Sequence, residues 1–341
     1  MSLYKNIYYK GSSILPHLLL NQITAVNVLL PYHHLVSDER LPHIQNLYPY
    51  KNTNQFISDL DLLLTHFKPI DPVELIDCLR LHKPIPRRSF LLSFDDGLRE
   101  VYDTVAPILK RKGVTALFFL NPAFLDNKEL FYRFKLSLIL EKLKGKENNR
   151  SLLKPINEIL GLRSEHFFET SAKILSINYL NRSLADQLGL CLDIDFDEYL
   201  QMQKPFLSVE QVKEMKLQGF YFGGHSIDHP HYNLLHEDEQ LRQTIESCRQ
   251  VKQTLELTYT AFSFPHEDAG ISKHFFEQLD RDEFKIDILF GTQNQKYELH
   301  KRMLHRFNAE RPQLPLNQLV KGVLLYNGIA TALHRNYPIR N

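Results

Sequence analysis

Hydrophobic and polar positions follow two patterns that alternate along the chain. Compact apolar runs are typical of buried strands, and segments with apolar residues every three or four positions are typical of amphipathic helices. The apolar runs predict strands at 24–32, 67–70, 89–94, 114–120, 220–224, 260–264 and 286–290. The helical spacing predicts helices between them, most clearly at 55–67, 74–81, 237–256 and 272–281.

This alternation of strands and helices predicts an α/β fold. Polar residues of chemical interest directly follow several of the predicted strands, as in an α/β barrel whose active site lies at the carboxyl ends of its strands. An open, doubly wound sheet is the alternative, but the sequence contains no glycine-rich phosphate loop to favour it. We therefore predict a barrel.

Residues 127–205 depart from the alternation. Glycines are few there, and leucines and charged residues recur at helical spacing. We predict a helical insertion over 127–205, with the barrel formed by 1–126 and 206–341. A packed cap without chemistry is the favoured role of this insertion, and a lid that gates substrate entry is the alternative.

Composition limits the class of protein. The 341 residues are 43% hydrophobic and 24% charged, so a sizeable core can be buried, and the net charge of +1 favours neither nucleic acid nor a membrane surface as a partner. Three separated cysteines, Cys78, Cys191 and Cys248, argue against a disulfide framework and a thiolate metal site.

No stretch has the length of a transmembrane segment and no secretory signal is evident, so we expect a cytoplasmic protein, with peripheral membrane association as the alternative. The oligomeric state stays open.

Two segments carry candidate metal chemistry. The apolar run at 89–94 ends in two adjacent carboxylates, Asp95 and Asp96, which at a strand end need solvent, a proton or a cation. Much later, His225 and His229 follow the strand predicted at 220–224. Two imidazoles and one carboxylate suit zinc or a similar divalent ion, and three protein ligands leave a coordination position open for water. The sequence therefore predicts a catalytic metal site.

The same segments resemble the polysaccharide deacetylase family of metal-dependent sugar N-deacetylases. Ser93–Gly97 is similar to the family's Thr-Phe-Asp-Asp-Gly motif, and His225–His229 is similar to its His-Ser/Thr-x-x-His motif. Tyr32–His33 at a strand end and Phe262–Pro265 agree with further family segments. The order of the motifs along the chain is also that of the family.

The resemblance implies a distorted barrel of about seven strands that removes an N-acetyl group from a sugar of a polysaccharide or glycoconjugate precursor. It implies that Asp95 is the general base, that Asp96, His225 and His229 hold a divalent metal, most simply zinc, and that the backbone N–H of His266 faces the oxyanion. An N-acetylated sugar or glycan is then the partner. Chemistry agrees, because a bound divalent ion activates water and polarises an amide carbonyl.

The sequence departs from the family in two places. The arginine that orients the base is absent before Pro265, and the histidine that protonates the departing amine has no clear counterpart. His305 is the best candidate for that acid and Arg306 for the replacement orienter, with His33 and His266 as alternative acids. Because of these departures, a degenerate barrel that only binds glycan is an alternative function, and hydrolysis of a non-sugar amide is another.

Overall fold

The computed structural model describes residues 26–163, 166–298 and 300–340. Within these ranges the strands are short, parallel and almost entirely buried. They are β1 (Val28–Leu29), β2 (Pro31–His33), β3 (Lys68–Pro69), β4 (Ser89–Phe90), β5 (Leu92–Phe94), β6 (Ala116–Leu120), β7 (Tyr221–Gly224), β8 (Ala261–Ser263), β9 (Ile288–Gly291), β10 (Met303–His305) and β11 (Phe307–Asn308). The strand predicted at 24–32 begins outside the described residues, and its described part forms β1 and the start of β2.

Helices connect these strands. They are α1 (Thr53–His66), α2 (Pro72–Arg80), α3 (Ala106–Lys112), α4 (Tyr132–Leu143), α5 (Arg150–Ile159), α6 (Phe167–Leu175), α7 (Ser183–Cys191), α8 (Phe196–Gln203), α9 (Val209–Leu217), α10 (Glu237–Leu255), α11 (Lys273–Arg281) and α12 (Leu316–Ala332). One π-helical segment, Val101–Val105, leads into α3, and short 3₁₀ turns lie at Leu125–Asn127, Tyr179–Asn181 and Tyr232–Leu234. The part of the chain that the structure describes contains no helix with the length and hydrophobicity that a bilayer crossing requires.

The predicted barrel is confirmed. All neighbouring strands are parallel, in the order β10-β9-β8-β7-β6-β5-β2-β11. Because β10 and β11 are separated only by Arg306, the two ends of this sheet are one interrupted strand, and the sheet closes on itself. Counted this way, seven strands form the ring, and the short sheet β1-β4-β3 extends it at one end.

Alternation along the strands separates an inner face from an outer face. Inside, the guanidinium of Arg306 lies 4.6 Å from the ring centroid of Tyr32 and 5.2 Å from that of Phe119. Outside, Phe94 contacts Phe56 of α1 at a centroid distance of 6.0 Å and stacks on Phe118 at 5.2 Å. Helices thus cover an aromatic outer face, while polar groups collect within the ring.

Two local features add to the sequence prediction. Helix α1 is capped by Asn52, whose side chain accepts from the N–H of Gln55. On β7, Gly224 allows α10 to approach closely, because a Cβ at this position would lie 2.8 Å from the hydroxyl of Ser247.

The segment predicted as an insertion contains five helices, α4 to α8, in its described residues. They surround an apolar core of their own, which extends onto the barrel through Leu35, Ile44 and Leu98. The helices therefore pack on the rim of the barrel at the carboxyl ends of its strands. The division into 1–126 with 206–341 and an inserted 127–205 remains our proposal for the domain organisation.

Candidate metal centre

The structure brings Asp96, His225 and His229 together at the carboxyl ends of β5 and β7. The Oδ1 atom of Asp96 lies 3.0 Å from Nε2 of His229 and 3.4 Å from Nε2 of His225. One donor atom from each residue lies within 4.8 Å of the other two, and all three residues are buried. Among the described residues this is the single cluster with metal-ligand geometry.

The chemistry of these three groups fits a divalent cation. Nδ1–H of His225 donates a hydrogen bond to the carbonyl oxygen of Ser263 at 2.8 Å, which leaves the Nε2 lone pair facing the cluster. Oδ1 of Asp96 is buried and has no hydrogen bond within the described structure. Burial opposes its ionisation, but His229 and His225 hold the pKa of this carboxyl well below its usual value. Burial also lowers the pKa of His229. An ionised carboxylate beside an unprotonated imidazole is the form in which such residues bind metal.

The backbone places these ligands through turns that only a few residue types adopt easily. Asp96 and Gly97 both have left-handed φ values, +72° and +64°, which end β5 abruptly and turn the Asp96 carboxylate into the ring. After β7, Ser226 and His229 are also left-handed, at +65° and +60°. The Ser226 hydroxyl accepts from the N–H of His229 at 3.1 Å, and Asn121 donates to the carbonyl of Ser226 at 3.1 Å. These bonds fix one tight turn around the two histidines.

Asp95 is bound on both carboxylate oxygens by Arg306. The two N–O distances are 2.7 and 2.8 Å, and both side chains are almost completely buried. Arg306 also donates to the hydroxyls of Ser93, at 2.9 Å, and Ser263. Burial opposes ionisation of Asp95, but Arg306, followed by His225, lowers the pKa of this carboxyl. Asp95 is thus an oriented, ionised carboxylate beside the metal cluster.

His266 lies beside the cluster but is not one of its ligands. Its ring centroid is 4.4 Å from that of His229, and it stacks on His231 at 3.5 Å. Burial lowers the pKa of His266 well below its usual value, and the neighbouring His229 and His231 lower it further. The imidazole is therefore neutral near pH 7, which does not suit a proton donor. The role of its backbone N–H toward an oxyanion remains a prediction.

The structure does not bring His305 to the cluster. Its Nε2 lies 3.3 Å from Glu298 and its Nδ1 lies 3.7 Å from Asp268, and the ring is completely buried among these groups. Because Arg306 next to it faces the interior, strand alternation turns His305 outward. His33 is also turned outward, since its ring packs 5.6 Å from that of Phe56 on α1. Neither position fits an acid that meets substrate inside the ring.

Sequence reasoning missed His34. Its Nδ1 lies 2.6 Å from Oε2 of Glu310, and the other oxygen of that carboxylate, Oε1, accepts from the N–H of Leu35 at 3.0 Å. Burial lowers the pKa of His34, but Glu310, and then Asp96 and Asp95, raise it to about 9. The Glu310 carboxylate thus favours the protonated form of the ring, which lies within electrostatic reach of both aspartates. The sequence Tyr32-His33-His34 did contain a signal for it. Alternate residues of an extended chain face the same side, so an inward Tyr32 places His34 inside the ring as well.

The insertion contacts the histidine turn directly. The ring of Phe131 lies 5.0 Å from that of His229, edge to face. The hydroxyl of Tyr179 donates to Asp228 at 2.7 Å, and Gln243 of α10 donates to the other oxygen of the same carboxylate at 2.8 Å. The insertion therefore contacts both His229 and Asp228 of the histidine turn.

Comparison with known proteins gives a family match and a shared fold. Residues 82–158 match the family model described as polysaccharide deacetylase; this range contains Asp95 and Asp96 but not the histidine turn. No curated protein matches the sequence. Two similar solved structures are the Streptococcus pyogenes deacetylase PplD in complex with acetate (14% identity, TM-score 0.55, covering 87% of this chain and 98% of that one) and IcaB from Ammonifex degensii (16%, 0.53, 88% and 98%).

A third similar structure is a putative polysaccharide deacetylase from Bacillus anthracis, with 10% identity and a TM-score of 0.53, covering 87% of this chain and 68% of that one. At such identities the likeness is one of fold. Together with the family match around Asp95 and Asp96, it confirms the resemblance that the motifs indicated: the chain carries the polysaccharide deacetylase signature on a polysaccharide deacetylase fold.

Proposed function

We propose that this protein is a metal-dependent hydrolase that removes an N-acetyl group from a sugar of a polysaccharide or glycoconjugate precursor. The observation that carries the proposal is the convergence of Asp96, His225 and His229 beside an ionised Asp95. The deacetylase fold supports the same substrate class, N-acetylated glycans.

The metal ligands would be Asp96, His225 and His229, and zinc is the ion that this donor set favours. A divalent ion held there supplies electrophilic polarisation of an acyl oxygen and a water molecule of lowered pKa. The rest of the reaction depends on the chain's own ionisable groups.

Asp95 accepts the proton that the attacking water loses. Arg306 keeps this carboxylate ionised and fixes its orientation, and so takes the place of the arginine that is absent before Pro265. This removes one of the two departures that favoured a binding-only barrel. Both oxygens of Asp95 already accept from Arg306, so the proton is taken on a remaining lone pair of the carboxylate.

We assign proton donation to His34 in place of His305. When the C–N bond of the amide breaks, the departing nitrogen needs a proton, and the ion pair with Glu310 favours the protonated form of His34 that can supply it. Glu310 holds the ring by Nδ1 and so leaves Nε2–H as the group that can donate. Overall, water adds its oxygen to the acyl carbon, and acetate and an amine are released.

The test measures acetate release from short N-acetylglucosamine oligomers, together with metal content by elemental analysis. We expect Asp95→Asn to lower kcat about a thousandfold or more while zinc stays near one equivalent, and His225→Ala to lose both zinc and activity. Equal zinc content in wild type and His225→Ala contradicts the metal assignment. Saturable sugar binding without acetate release by the zinc-loaded wild type contradicts the enzymatic proposal and favours a glycan-binding barrel.

A further inference from the structure

A short extended arm, residues 336–340, follows α12 and docks on the barrel. Side chains along the arm alternate between buried and exposed positions, as in an edge strand. Asn336 is buried, whereas Tyr337 and Ile339 are exposed. The side chain of Arg340 is only 8% exposed, although arginine is rarely buried without partners. The arm therefore delivers a cation into the body of the protein.

The guanidinium of Arg340 binds two buried carboxylates at once. Its Nη2 lies 2.8 Å from Oδ2 of Asp268, and its Nε lies 3.1 Å from Oε2 of Glu298. Its Nη1 also donates to the carbonyl oxygen of Asp268 at 2.6 Å. The side chains of Asp268 and Glu298 are 0% and 3% exposed. Such a fork of charged hydrogen bonds fixes the position of its acceptors as well as neutralising them.

Asp268 belongs to the loop that leaves β8 and passes the metal centre. Its Oδ1 accepts from the N–H of Thr292 at 2.7 Å, and its Oδ2 accepts from the side-chain amide of Gln293 at 2.7 Å. Two residues earlier in the loop, His266 has a left-handed φ of +55°, and its carbonyl accepts from the Thr292 hydroxyl at 3.4 Å. Asp268 therefore ties this loop to the segment after β9, and Arg340 ties both to the arm.

His305, which the proposed reaction does not use, packs into the same network. Its Nε2 lies 3.3 Å from Oε2 of Glu298, and its Nδ1 lies 3.7 Å from Oδ1 of Asp268. A Cβ on Gly291 would collide with the His305 ring, so the ring is held closely between β9 and β10. Burial opposes ionisation of Asp268, but the neighbouring His305 and Arg340 lower its pKa. The network is thus built around an ionised carboxylate.

We propose that Arg340 is a positioning residue for the reaction: it fixes the loop after β8 and thereby holds the backbone N–H of His266 toward the oxyanion. The proposal rests on the deacetylase function above and on the role predicted for this N–H. The His266 ring lies 4.4 Å from that of the proposed metal ligand His229, so the loop borders the reacting centre. Donors that face an oxyanion act by being fixed before charge develops. Loosening the loop should therefore slow the chemical step without weakening sugar binding.

Two substitutions of Arg340 test this role by kinetics. Loss of one oxyanion donor costs about 100–1000-fold in kcat, and a loosened donor costs less because it stays in place part of the time. We expect Arg340→Met to lower kcat for N-acetylglucosamine oligomers about tenfold, with KM within about twofold of wild type and zinc still near one equivalent. Arg340→Lys keeps the cation and so should fold even if Arg340→Met does not. It cannot reproduce the fork, so we expect its kcat to fall about fivefold.

Arg302 provides a matched control at the opposite end of β10. Its guanidinium pairs with Asp280 and donates to the carbonyl oxygen of Ile286. We expect Arg302→Met to lower Tm and to leave kcat within about twofold of wild type. Amide hydrogen exchange on peptides from 264–270 separates positioning from general destabilisation, since it reports local opening of the loop. This exchange should be about tenfold faster in Arg340→Met and unchanged in Arg302→Met.

Wild-type kcat in both Arg340 variants overturns the positioning role. An equal loss of kcat in Arg302→Met also overturns it, because the effect is then one of general stability. Unchanged exchange of the 264–270 peptides in Arg340→Met, or in Arg340→Lys where only that variant folds, has the same meaning. A zinc-loaded wild type that releases no acetate from any oligomer overturns the proposed function instead. The exchange measurement needs no substrate, so it still decides whether Arg340 fixes the loop.

Discussion

Removal of the Arg306 guanidinium should destabilise the protein strongly. In Arg306→Met the side chain keeps its approximate length, but Asp95 loses its partner while it remains only 3% exposed. Removing one partner of a buried ion pair costs about 3–5 kcal/mol, a large fraction of the 5–15 kcal/mol that stabilises a typical domain. For 341 residues, with an unfolding entropy of roughly 2.1 cal/mol/K per residue, this corresponds to a fall in Tm of about 4–7 °C.

The assay is urea unfolding at neutral pH on zinc-free protein, because a bound metal would add its own stabilisation. The companion variants are Asp95→Asn and the double variant Arg306→Met with Asp95→Asn. The double variant removes both charges, so we expect it to recover at least half of the stability that Arg306→Met loses, without recovering activity. A loss below 1 kcal/mol in the single variant, or a double variant no more stable than Arg306→Met, would show that the pair is not the buried, coupled unit described above.

Three further predictions concern the surroundings of the site. In Glu310→Gln the pKa of His34, measured by NMR titration of the imidazole, should fall from about 9 toward 6.5, and an unchanged value refutes the pairing. Because folding raises the pKa of His34, protonation of this ring stabilises the folded state fully below pH 6.5, and that stabilisation is lost as the pH rises through 9. The free energy of unfolding should therefore decline between these pH values in wild type but not in Glu310→Gln. Gly223→Ala should lower the free energy of unfolding by about 1–3 kcal/mol in urea, since its Cβ would lie 2.6 Å from the carbonyl oxygen of Ala261; wild-type stability would contradict this packing. Phe131→Ala should weaken zinc binding about tenfold in a chelator competition, because the ring packs against His229, one of the three proposed ligands; unchanged affinity would restrict the insertion to a covering role.

Sequence reasoning brought the three candidate metal ligands together for a physical reason. Parallel strands end at the same side of a barrel, so charged residues that directly follow strands must meet there, however far apart they are along the chain. Asp96, His225 and His229 met this condition and converge in the structure. Arg306 was predicted to orient the base on grounds of position alone, and it is the residue that binds Asp95.

The same reasoning failed where it neglected the direction of side chains. Neighbouring residues on a strand face opposite sides, so His305 and Arg306 could not both serve an interior site. His34 was overlooked because its partner, Glu310, lies 276 positions away, and no local pattern announces such a pair. The contact between Phe131 and His229 was equally hidden, since it depends on how the inserted helices dock on the rim. Periodicity predicts which residues share a face but not which distant elements that face will meet.

The interrupted strand at 303–308 has a consequence for biosynthesis. Arg306 follows Asp95 by 211 positions, so a nascent chain carries this carboxylate well before the guanidinium that binds it has been synthesised. Until Arg306 is in place, Asp95 has no cationic partner. Burying its lone charge is costly, so an incomplete ring is disfavoured. Insertion of the last strand would therefore close the ring and pair Arg306 with Asp95 in the same step.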